Sequence, residues 1–203
     1  MFLWYLLSLS REMKQRITLL ASGSGTNVEN IYRFFEQDKE VSFAGVFTNN
    51  PKAGVIERMK PYGIEVKVFD RVSFNEGDLL KQIVEQKPNL VVLAGFLWKI
   101  NREWIQAFPN KIINIHPALL PKYGGKGMYG NFVHQAVKDH NEAETGITIH
   151  YVNENYDEGA VIFQKNVRIS PQDTVSGIAS KVHQLEYAYY PKVIASILKN
   201  ELK

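Results

Sequence analysis

Short, almost wholly apolar segments recur through the first half of the sequence, and they constrain the fold more than any other feature. Most of them are followed by a segment in which apolar residues have helical spacing. Strands that are apolar on both faces are typical of parallel sheets with helices on either side. The predicted strands cover residues 16–21, 41–48, 65–69, 90–94 and 112–115, and the predicted helices cover 27–35, 53–61 and 76–86. This alternation predicts parallel βαβ units.

The second half of the sequence has a different pattern. Residues 146–152 and 160–169 have the character of two antiparallel strands joined by a polar turn at 153–159. Residues 174–198 have the spacing of one long helix, in which Pro191 predicts a break or a kink. We therefore predict an α/β fold: a single-domain, doubly wound, Rossmann-like and mostly parallel sheet with antiparallel C-terminal strands and a long C-terminal helix.

The composition excludes several kinds of site. The chain of 203 residues has no cysteine, so disulfides, a thiol nucleophile and a thiolate metal site are excluded. Its five histidines lack the close spacing of a zinc site, and we predict no metal. The net charge is only +3 and the basic residues are scattered, which does not suit nucleic-acid binding. We expect a cytoplasmic protein without a nucleic-acid or membrane partner.

The N-terminus allows two interpretations. Residues 2–9 are apolar, but they are too few to span a bilayer, and they lack the basic segment that opens a signal peptide. Met13 stands just before the first predicted strand. Residues 1–14 are therefore either an extension that is not native or a segment packed on the surface. Residues 15–203 form the predicted domain.

A glycine-rich turn, SGSGTN at residues 22–27, separates the first predicted strand from the first predicted helix. Glycines let backbone N–H groups approach a ligand, and a helix N-terminus favours an anion such as phosphate. Val28 stands where a dinucleotide-binding fingerprint needs a third glycine, and the Walker pattern is absent. Phosphate binding and an ordinary turn capped by Thr26 or Asn27 both remain open.

Two polar residues, Asn114 and His116, occur at the end of an otherwise apolar strand. Alternate residues of a strand share a face, so both side chains point the same way at the end where open α/β sheets bind ligands. An Asn amide can stabilise an oxyanion, and a His can transfer a proton. A hydrogen-bonded structural pair is the alternative. The rigid loop that follows, with two prolines and a Gly-Gly pair, favours a functional site.

Two more segments have both a structural and a functional interpretation. Asp157 lies in the polar turn between the antiparallel strands, where it could orient His116 or could simply be solvated. Residues 90–100 pass from a buried strand into an aromatic patch that could receive a flat ring or could belong to the core.

Four segments occur in one order: SGSGTN, VVLAGF, NIHPALLPKY, and a turn with Asp-x-Gly at residues 157–159. In these segments the sequence resembles the folate-dependent formyltransferases, and the likeness extends over about residues 16–198. NIHPALLPKY resembles the family as a whole, and GSGTN resembles its glycinamide ribonucleotide branch. The resemblance implies that a formyl group passes from 10-formyltetrahydrofolate, a co-substrate, to the amine of glycinamide ribonucleotide in purine biosynthesis.

The resemblance also implies roles for particular residues. Asn114 and a protonated His116 would stabilise the tetrahedral oxyanion, and Asp157 would raise the pKa of His116 and help to move a proton. Residues 15–110 would hold the ribonucleotide phosphate, and residues 90–200 the folate and the catalytic groups. The implied ribonucleotide contacts are Gly25, Thr26, Asn27 and Glu186. The implied folate contacts are Phe96, Leu97, Trp98, Lys99, Ile100, Asn114, Val152 and Asp157, with His150 as a supporting residue. A monomer or a homodimer is expected.

The sequence departs from the family pattern in two places. Many members have an Arg at the position of Trp98, which is followed here by Lys99, so we expect different folate contacts there. The segment 124–130 looks longer than the usual loop, and its glycines suggest mobility.

Two other functions compete with this one. Methionyl-tRNA formyltransferases share the Asn-x-His-Pro signature but carry a further, basic C-terminal domain. This sequence ends soon after its last predicted helix, so we expect a small acceptor rather than tRNA. A non-catalytic nucleotide-binding module would keep SGSGTN without needing Asn114, His116 and Asp157 together.

Overall fold

The computed structural model describes residues 14–201, which form one seven-stranded sheet with helices on both faces. Its strand order is β3-β2-β1-β4-β5-β6-β7. Strands β1 to β5 pair in parallel, and β6 is antiparallel to both of its neighbours. The strands are β1 (Gln15–Ala21), β2 (Val41–Thr48), β3 (Val66–Val68), β4 (Leu90–Leu93), β5 (Ile112–His116), β6 (Glu144–Tyr151) and β7 (Val161–Arg168). The predicted fold class is confirmed.

Helices cover the sheet between and after these strands. They are α1 (Thr26–Phe35), α2 (Gly54–Met59) with a 3-10 turn at Lys60–Tyr62, α3 (Arg71–Asn75), α4 (Asp78–Glu85), α5 (Arg102–Ala107), α6 (Asn131–Asp139) and α7 (Val175–Leu198). The sequence predicted α1, α2, α4 and α7 but not the other three. None of the helices within residues 14–201 is both long and apolar enough to span a membrane. The predicted extension at the N-terminus lies outside the described residues, apart from its last position.

The sheet separates two apolar layers. Ile17, Leu19 and Ala21 of β1 are buried in one layer with α1, α2 and α7, whereas Leu20 is buried in the other with α3, α4 and α5. Alternate residues of a strand point to opposite faces, so the buried part of β1 is mostly apolar because both faces are covered. This requirement explains why continuous apolar runs identified the strands correctly.

The order in which strands are added to the sheet reverses between β1 and β4, although these two strands are parallel. The chain runs outward from β1 to β3 and then returns to add β4 on the other side of β1. The loops after β1 and β4 therefore leave the same edge side by side, which opens a crevice where such sheets bind ligands. Backbone N–H of Ser22 donates to the Gly95 carbonyl at 3.0 Å, and N–H of Leu97 donates to Ser22 Oγ at 2.9 Å. These bonds join the two loops.

The antiparallel register of β5 and β6 determines which side chains meet across the strands. Asn114 lies directly opposite His150, and His116 lies opposite Thr148. Opposite residues in an antiparallel pair have neighbouring side chains. The register therefore brings His150 to Asn114 and directs the β6–β7 loop towards His116.

Pro191 lies inside α7, and the helix continues past it to Leu198. Of the predicted break or kink, the break is therefore wrong, and the kink stays a prediction. Proline has no N–H, and the carbonyl of Tyr187 four residues earlier therefore lacks its helical donor. Nδ2 of Asn30, on α1, donates to that carbonyl at 3.0 Å. The Asn30 side chain replaces the missing helical bond and ties α1 to α7.

Candidate active site

A cavity of about 590 Å³ opens at the edge of the sheet where β1, β4 and β5 end. Its wall includes the glycine-rich turn, the loop after β4, the end of β5, the β6–β7 loop, and residues of α6 and α7. All the site residues predicted from the sequence line it: Gly25, Thr26, Asn27, Phe96, Leu97, Trp98, Lys99, Ile100, Asn114, His116, His150, Val152, Asp157 and Glu186. The structure therefore brings together segments that are far apart in the sequence.

Asp157 lies within contact distance of both Asn114 and His116. Nδ1 of His116 is 3.5 Å from Oδ2 of Asp157, and Nδ2 of Asn114 is 3.5 Å from Oδ1 of the same carboxylate. Nδ2 of Asn114 also contacts Nε2 of His150 at 3.2 Å. The backbone N–H of Gly125 donates to Asp157 Oδ2 at 3.0 Å. The carboxylate is thus the common neighbour of the amide and both imidazoles.

Two backbone carbonyls determine which ring nitrogens carry protons. Nε2 of His116 is 2.7 Å from the Tyr123 carbonyl oxygen, and Nδ1 of His150 is 2.8 Å from the Tyr151 carbonyl oxygen. A carbonyl can only accept, so each of these nitrogens is the donor. His150 therefore accepts from Asn114 through Nε2. His116 turns an unprotonated Nδ1 towards Asp157, where a proton can be taken up.

Burial lowers the pKa of His116 below its usual value, although the Asp157 carboxylate and the Tyr123 carbonyl act in the opposite direction. The Asp157 carboxylate does raise this pKa, as expected, but burial is the larger influence and leaves the pKa lowered. This net direction does not favour the protonated His116 that the resemblance implies. For Asp157 burial is again the largest influence and raises the carboxyl pKa. The Gly125 N–H and the imidazoles of His150 and His116, which act on the carboxylate when they are protonated, outweigh burial and leave that pKa lowered. A neutral imidazole beside a carboxylate is the resting state.

A second polar group lies at the other end of the cavity. Oε2 of Glu186, on α7, accepts from Asn27 Nδ2 at 2.9 Å and contacts His183 Nδ1 at 2.9 Å. The hydrogen bond to Glu186 raises the pKa of His183. Glu186 is buried, and Oδ1 of Asn27 is buried without a partner among the described residues. An acceptor left open in this way suits a ligand hydroxyl or amine.

The glycine-rich turn leaves the first N–H groups of α1 free of side-chain caps. Gly25 is the N-cap residue, with φ of +74°, and Asn27 bonds Glu186 instead of capping the helix. Nε of Arg58 donates to the Ser24 carbonyl at 2.7 Å, and its Nη1 pairs with Glu29 at 2.7 Å. The capped-turn interpretation is therefore wrong. A helix N-terminus without side-chain caps is suited to a phosphate.

An apolar wall follows β4. Phe96 and Ile100 are buried, whereas the side chain of Leu97 is 49% exposed at the cavity rim. The guanidinium of Arg71 lies 3.6 Å from the centre of the Trp98 ring. The Trp98 indole therefore carries an arginine on its face.

Several residues of the site were missed by the sequence analysis. Tyr123 contributes a backbone carbonyl, which no side-chain pattern reveals. His134 and His183 lie on α6 and α7 and line the cavity, and Nδ1 of His134 is buried without a partner in the described part of the chain. The helical spacing of His183 and Glu186 was a usable signal, since residues three apart lie on one helix face.

The long segment after Tyr123 forms part of the cavity wall. Gly125, Gly127 and Gly130 have positive φ, and residues 125–131 line the cavity up to the start of α6. Its mobility stays a prediction. Within residues 14–201, no group of three or more His, Asp or Glu side chains is placed to hold a metal ion.

Residues 15–194 match the protein family described as Formyl transferase. A phosphoribosylglycinamide formyltransferase of Bacillus subtilis is 36% identical over 190 residues, which cover 91% of this chain and 95% of the relative. That of Escherichia coli is 31% identical over 193 residues, covering 92% and 89%. The solved phosphoribosylglycinamide formyltransferase of Anaplasma phagocytophilum superposes with a TM-score of 0.84 at 30% identity, covering 94% of this chain and 90% of the other.

Proposed function

Since the chain belongs to the phosphoribosylglycinamide formyltransferases, we propose that 10-formyltetrahydrofolate is its formyl donor and that Asn114, His116 and Asp157 carry out the transfer to glycinamide ribonucleotide. One observation carries this proposal. An amide, a neutral imidazole and a carboxylate converge at one point of the cavity, between an anion-binding helix end and an apolar wall.

The amine of the ribonucleotide attacks the formyl carbon and produces a tetrahedral oxyanion. Asn114 donates one amide N–H to His150, and its second N–H makes only a long contact of 3.5 Å with Asp157. The oxyanion takes this second donor. Preorganised donors of this kind stabilise charge that develops in the transition state.

The same step makes the attacking nitrogen acidic. Its proton passes to Nδ1 of His116, directly or through a water held by Asp157, because this nitrogen is unprotonated and lies 3.5 Å from the carboxylate. The imidazolium formed there is a cation next to the oxyanion and is paired with Asp157. Collapse of the intermediate breaks the bond to N10 of the folate, and the His116 imidazolium gives the proton it took from the amine to N10 as N10 leaves. The formyl group has then exchanged one nitrogen for another.

The ribonucleotide binds at the end of the cavity formed by α1 and α7. Its phosphate accepts from the N–H groups of Gly25, Thr26 and Asn27, and Glu186 with the open Oδ1 of Asn27 binds donors of the sugar or the amine. This arrangement directs the amine towards Asn114.

The folate binds along the apolar wall. Its flat pterin fits between Phe96 to Ile100 on one side and Val152 to Asp157 on the other, both of which line the cavity. Edge groups of the ring bond to backbone there. A cavity of about 590 Å³ is within the usual range for a ligand of this size. The cytoplasmic location, the monomer or homodimer, and the lack of a nucleic-acid partner stay predictions.

An acceptor-choice assay tests this function. Purified protein receives 10-formyltetrahydrofolate with either glycinamide ribonucleotide or charged initiator tRNA, and the formylated product is measured. We expect product only with the ribonucleotide. Product only with the tRNA would contradict the proposal, and so would transfer at an equal rate from a formyl donor that lacks the pterin.

A further inference from the structure

We propose that Glu142, which lies outside the cavity, is a positioning residue that holds the catalytic His116 and Asp157 in register through the backbone of residues 123–125. This inference rests on the proposed role of His116. It goes beyond that role, because Glu142 does not line the cavity and would not touch either substrate.

The backbone of residues 123–125 connects the two catalytic side chains. The Tyr123 carbonyl accepts from His116 Nε2 at 2.7 Å, and the N–H of Gly125 donates to Asp157 Oδ2 at 3.0 Å. The segment therefore fixes one side of the imidazole and one oxygen of the carboxylate at once. The separation of 3.5 Å between His116 Nδ1 and Asp157 Oδ2 follows from these two bonds.

This backbone conformation needs support. Tyr123 has φ of +58°, in the left-handed region that is unfavourable for a residue with a side chain. Residue 124 must be small, since a Cβ at Gly124 would lie 2.6 Å from Leu120 Cδ2 and 3.3 Å from Asp157 Cβ. A strained segment packed this closely persists only where other contacts hold it.

Glu142 supplies those contacts from the turn before β6. Its Oε1 accepts from the Tyr123 hydroxyl at 2.8 Å and from Lys122 Nζ at 2.8 Å. The Tyr123 ring also packs edge-on against His140, with the ring centres 5.6 Å apart. Burial and the bond to Glu142 raise the pKa of Tyr123 to about 12. Its hydroxyl therefore stays protonated and remains a donor at every pH used in the assays.

The chemical consequence concerns the His116 tautomer. With the Tyr123 carbonyl in place, the ring carries its proton on Nε2 and leaves Nδ1 open towards Asp157. If the segment relaxes, Nε2 loses its acceptor and the Nδ1–H tautomer can form, donating to the carboxylate. That tautomer has no free nitrogen at the site where the proton of the amine must arrive.

Kinetics of four variants provide the first test. In Glu142→Ala and Tyr123→Phe we expect kcat to fall about tenfold or more with KM values nearly unchanged, because small displacements of catalytic groups reduce rate steeply. The double variant should be no worse than Glu142→Ala alone, since that change already removes the bond to the Tyr123 hydroxyl. Glu142→Gln keeps an acceptor for the hydroxyl and should retain most of the activity.

Glu144→Ala is the matched control. Glu144 lies two positions away and accepts from Asn166 Nδ2 at 2.7 Å, so it is also a surface acid in a hydrogen bond, but it does not contact the 123–125 segment. We expect its kcat to equal that of the unmodified protein. A fall equal to that of Glu142→Ala would overturn the proposal.

Nitrogen-15 NMR of the histidine rings provides the direct test. Spectra are recorded at a fixed pH above the usual histidine range, with the His116 signals assigned from a His116→Gln sample. The unmodified protein should show His116 protonated at Nε2, and Glu142→Ala should shift the population towards Nδ1–H. An unchanged tautomer together with an unchanged kcat would overturn the positioning role. If the tautomer shifts but His116→Gln itself transfers formyl groups at the normal rate, the proposed mechanism fails instead.

Discussion

At the scale of single residues, His116 is the most informative position in the site. Its Nε2 donates to a carbonyl and its Nδ1 faces a carboxylate, while burial lowers its pKa. A base that is unprotonated at neutral pH suits the removal of a proton from an attacking amine. The pKa of Asp157 is also lowered, so its carboxylate persists through the range in which His116 titrates.

We predict that kcat/KM falls as pH decreases through a value below the usual histidine pKa of 6.5, because His116 then becomes protonated before it can accept. Asp157→Asn removes the charge that raises the pKa of His116, so the acid limb should move to lower pH while kcat itself decreases. The pH profiles of the two proteins provide the measurement.

Asp173→Asn is the control for this profile. Asp173 also has a lowered carboxyl pKa, but it pairs with Lys181 and does not line the cavity. Its acid limb should coincide with that of the unmodified protein. The role of the carboxylate would be contradicted if the acid limb of the kcat/KM profile in Asp157→Asn stayed at the pH of the unmodified protein. A kcat/KM that did not change with pH while the fold stayed intact would contradict it as well.

The sequence predicted individual side chains better than their interactions. Asn114 and His116 were found because strand geometry puts them on one face. Their contact with Asp157 could not be derived, since it depends on the register of β5 with β6 and on the left-handed conformation of Asp157, with φ of +56°. The role of the Tyr123 carbonyl could not be predicted either, because every residue has a backbone carbonyl and the side-chain pattern does not show which one faces His116.

At the scale of elements, the turn between β1 and α1 combines a backbone requirement with a binding surface. A Cβ at Gly25 would lie 2.5 Å from Cβ of Val55, and its φ of +74° already favours glycine. Gly23, in the same turn, has no atom within 4 Å of such a Cβ. The two positions therefore differ in what the fold requires of them.

We predict that Gly25→Ala lowers the free energy of unfolding by about 1–3 kcal/mol or more, because alanine is strained at this positive φ and its Cβ would clash with Val55. It should also raise KM for the ribonucleotide more than KM for the folate. Urea unfolding and steady-state kinetics are the measurements. Gly23→Ala, the matched control, should change stability by no more than about 0.5 kcal/mol. Equal losses in the two variants would contradict this account of the turn.

Prediction of elements from sequence succeeded best for the strands at the centre of the sheet. β1, β2, β4 and β5 lie within one or two residues of their predicted limits, because strands covered on both faces must be continuously apolar. The missed helices are amphipathic and begin in polar segments. One of them had a readable start, since the Asn101 side chain accepts from the N–H of Trp104 and caps α5.

At the scale of the whole molecule, the site joins the two ends of the described chain. Asn27 follows the first strand and Glu186 lies on the last helix, yet they share a hydrogen bond of 2.9 Å. The hydroxyl of Tyr190, on the same helix, donates to the Leu93 carbonyl at 3.0 Å and so ties α7 to the end of β4. The proposed ribonucleotide site therefore needs α7 as well as residues 15–110. The division into halves stays a prediction.

We predict that the two substrates stabilise the protein through separable sets of residues. Each substrate binds the folded state and should raise the melting temperature. Asn27→Ala should reduce the shift caused by the ribonucleotide and leave that of the folate. Trp98→Ala should do the reverse, because Trp98 belongs to the apolar wall. Thermal unfolding with each ligand is the measurement, and equal loss of both shifts in both variants would contradict separate subsites.

The most direct test of the central claim is the single-turnover rate of formyl transfer in Asn114→Ala, measured with both substrates bound. Asn114 lies where the oxyanion would form, so we predict a rate about 10²–10³-fold lower while both ligands still bind and the protein keeps its melting temperature. An unchanged rate in a folded variant that binds both substrates would contradict catalysis by the group of Asn114, His116 and Asp157.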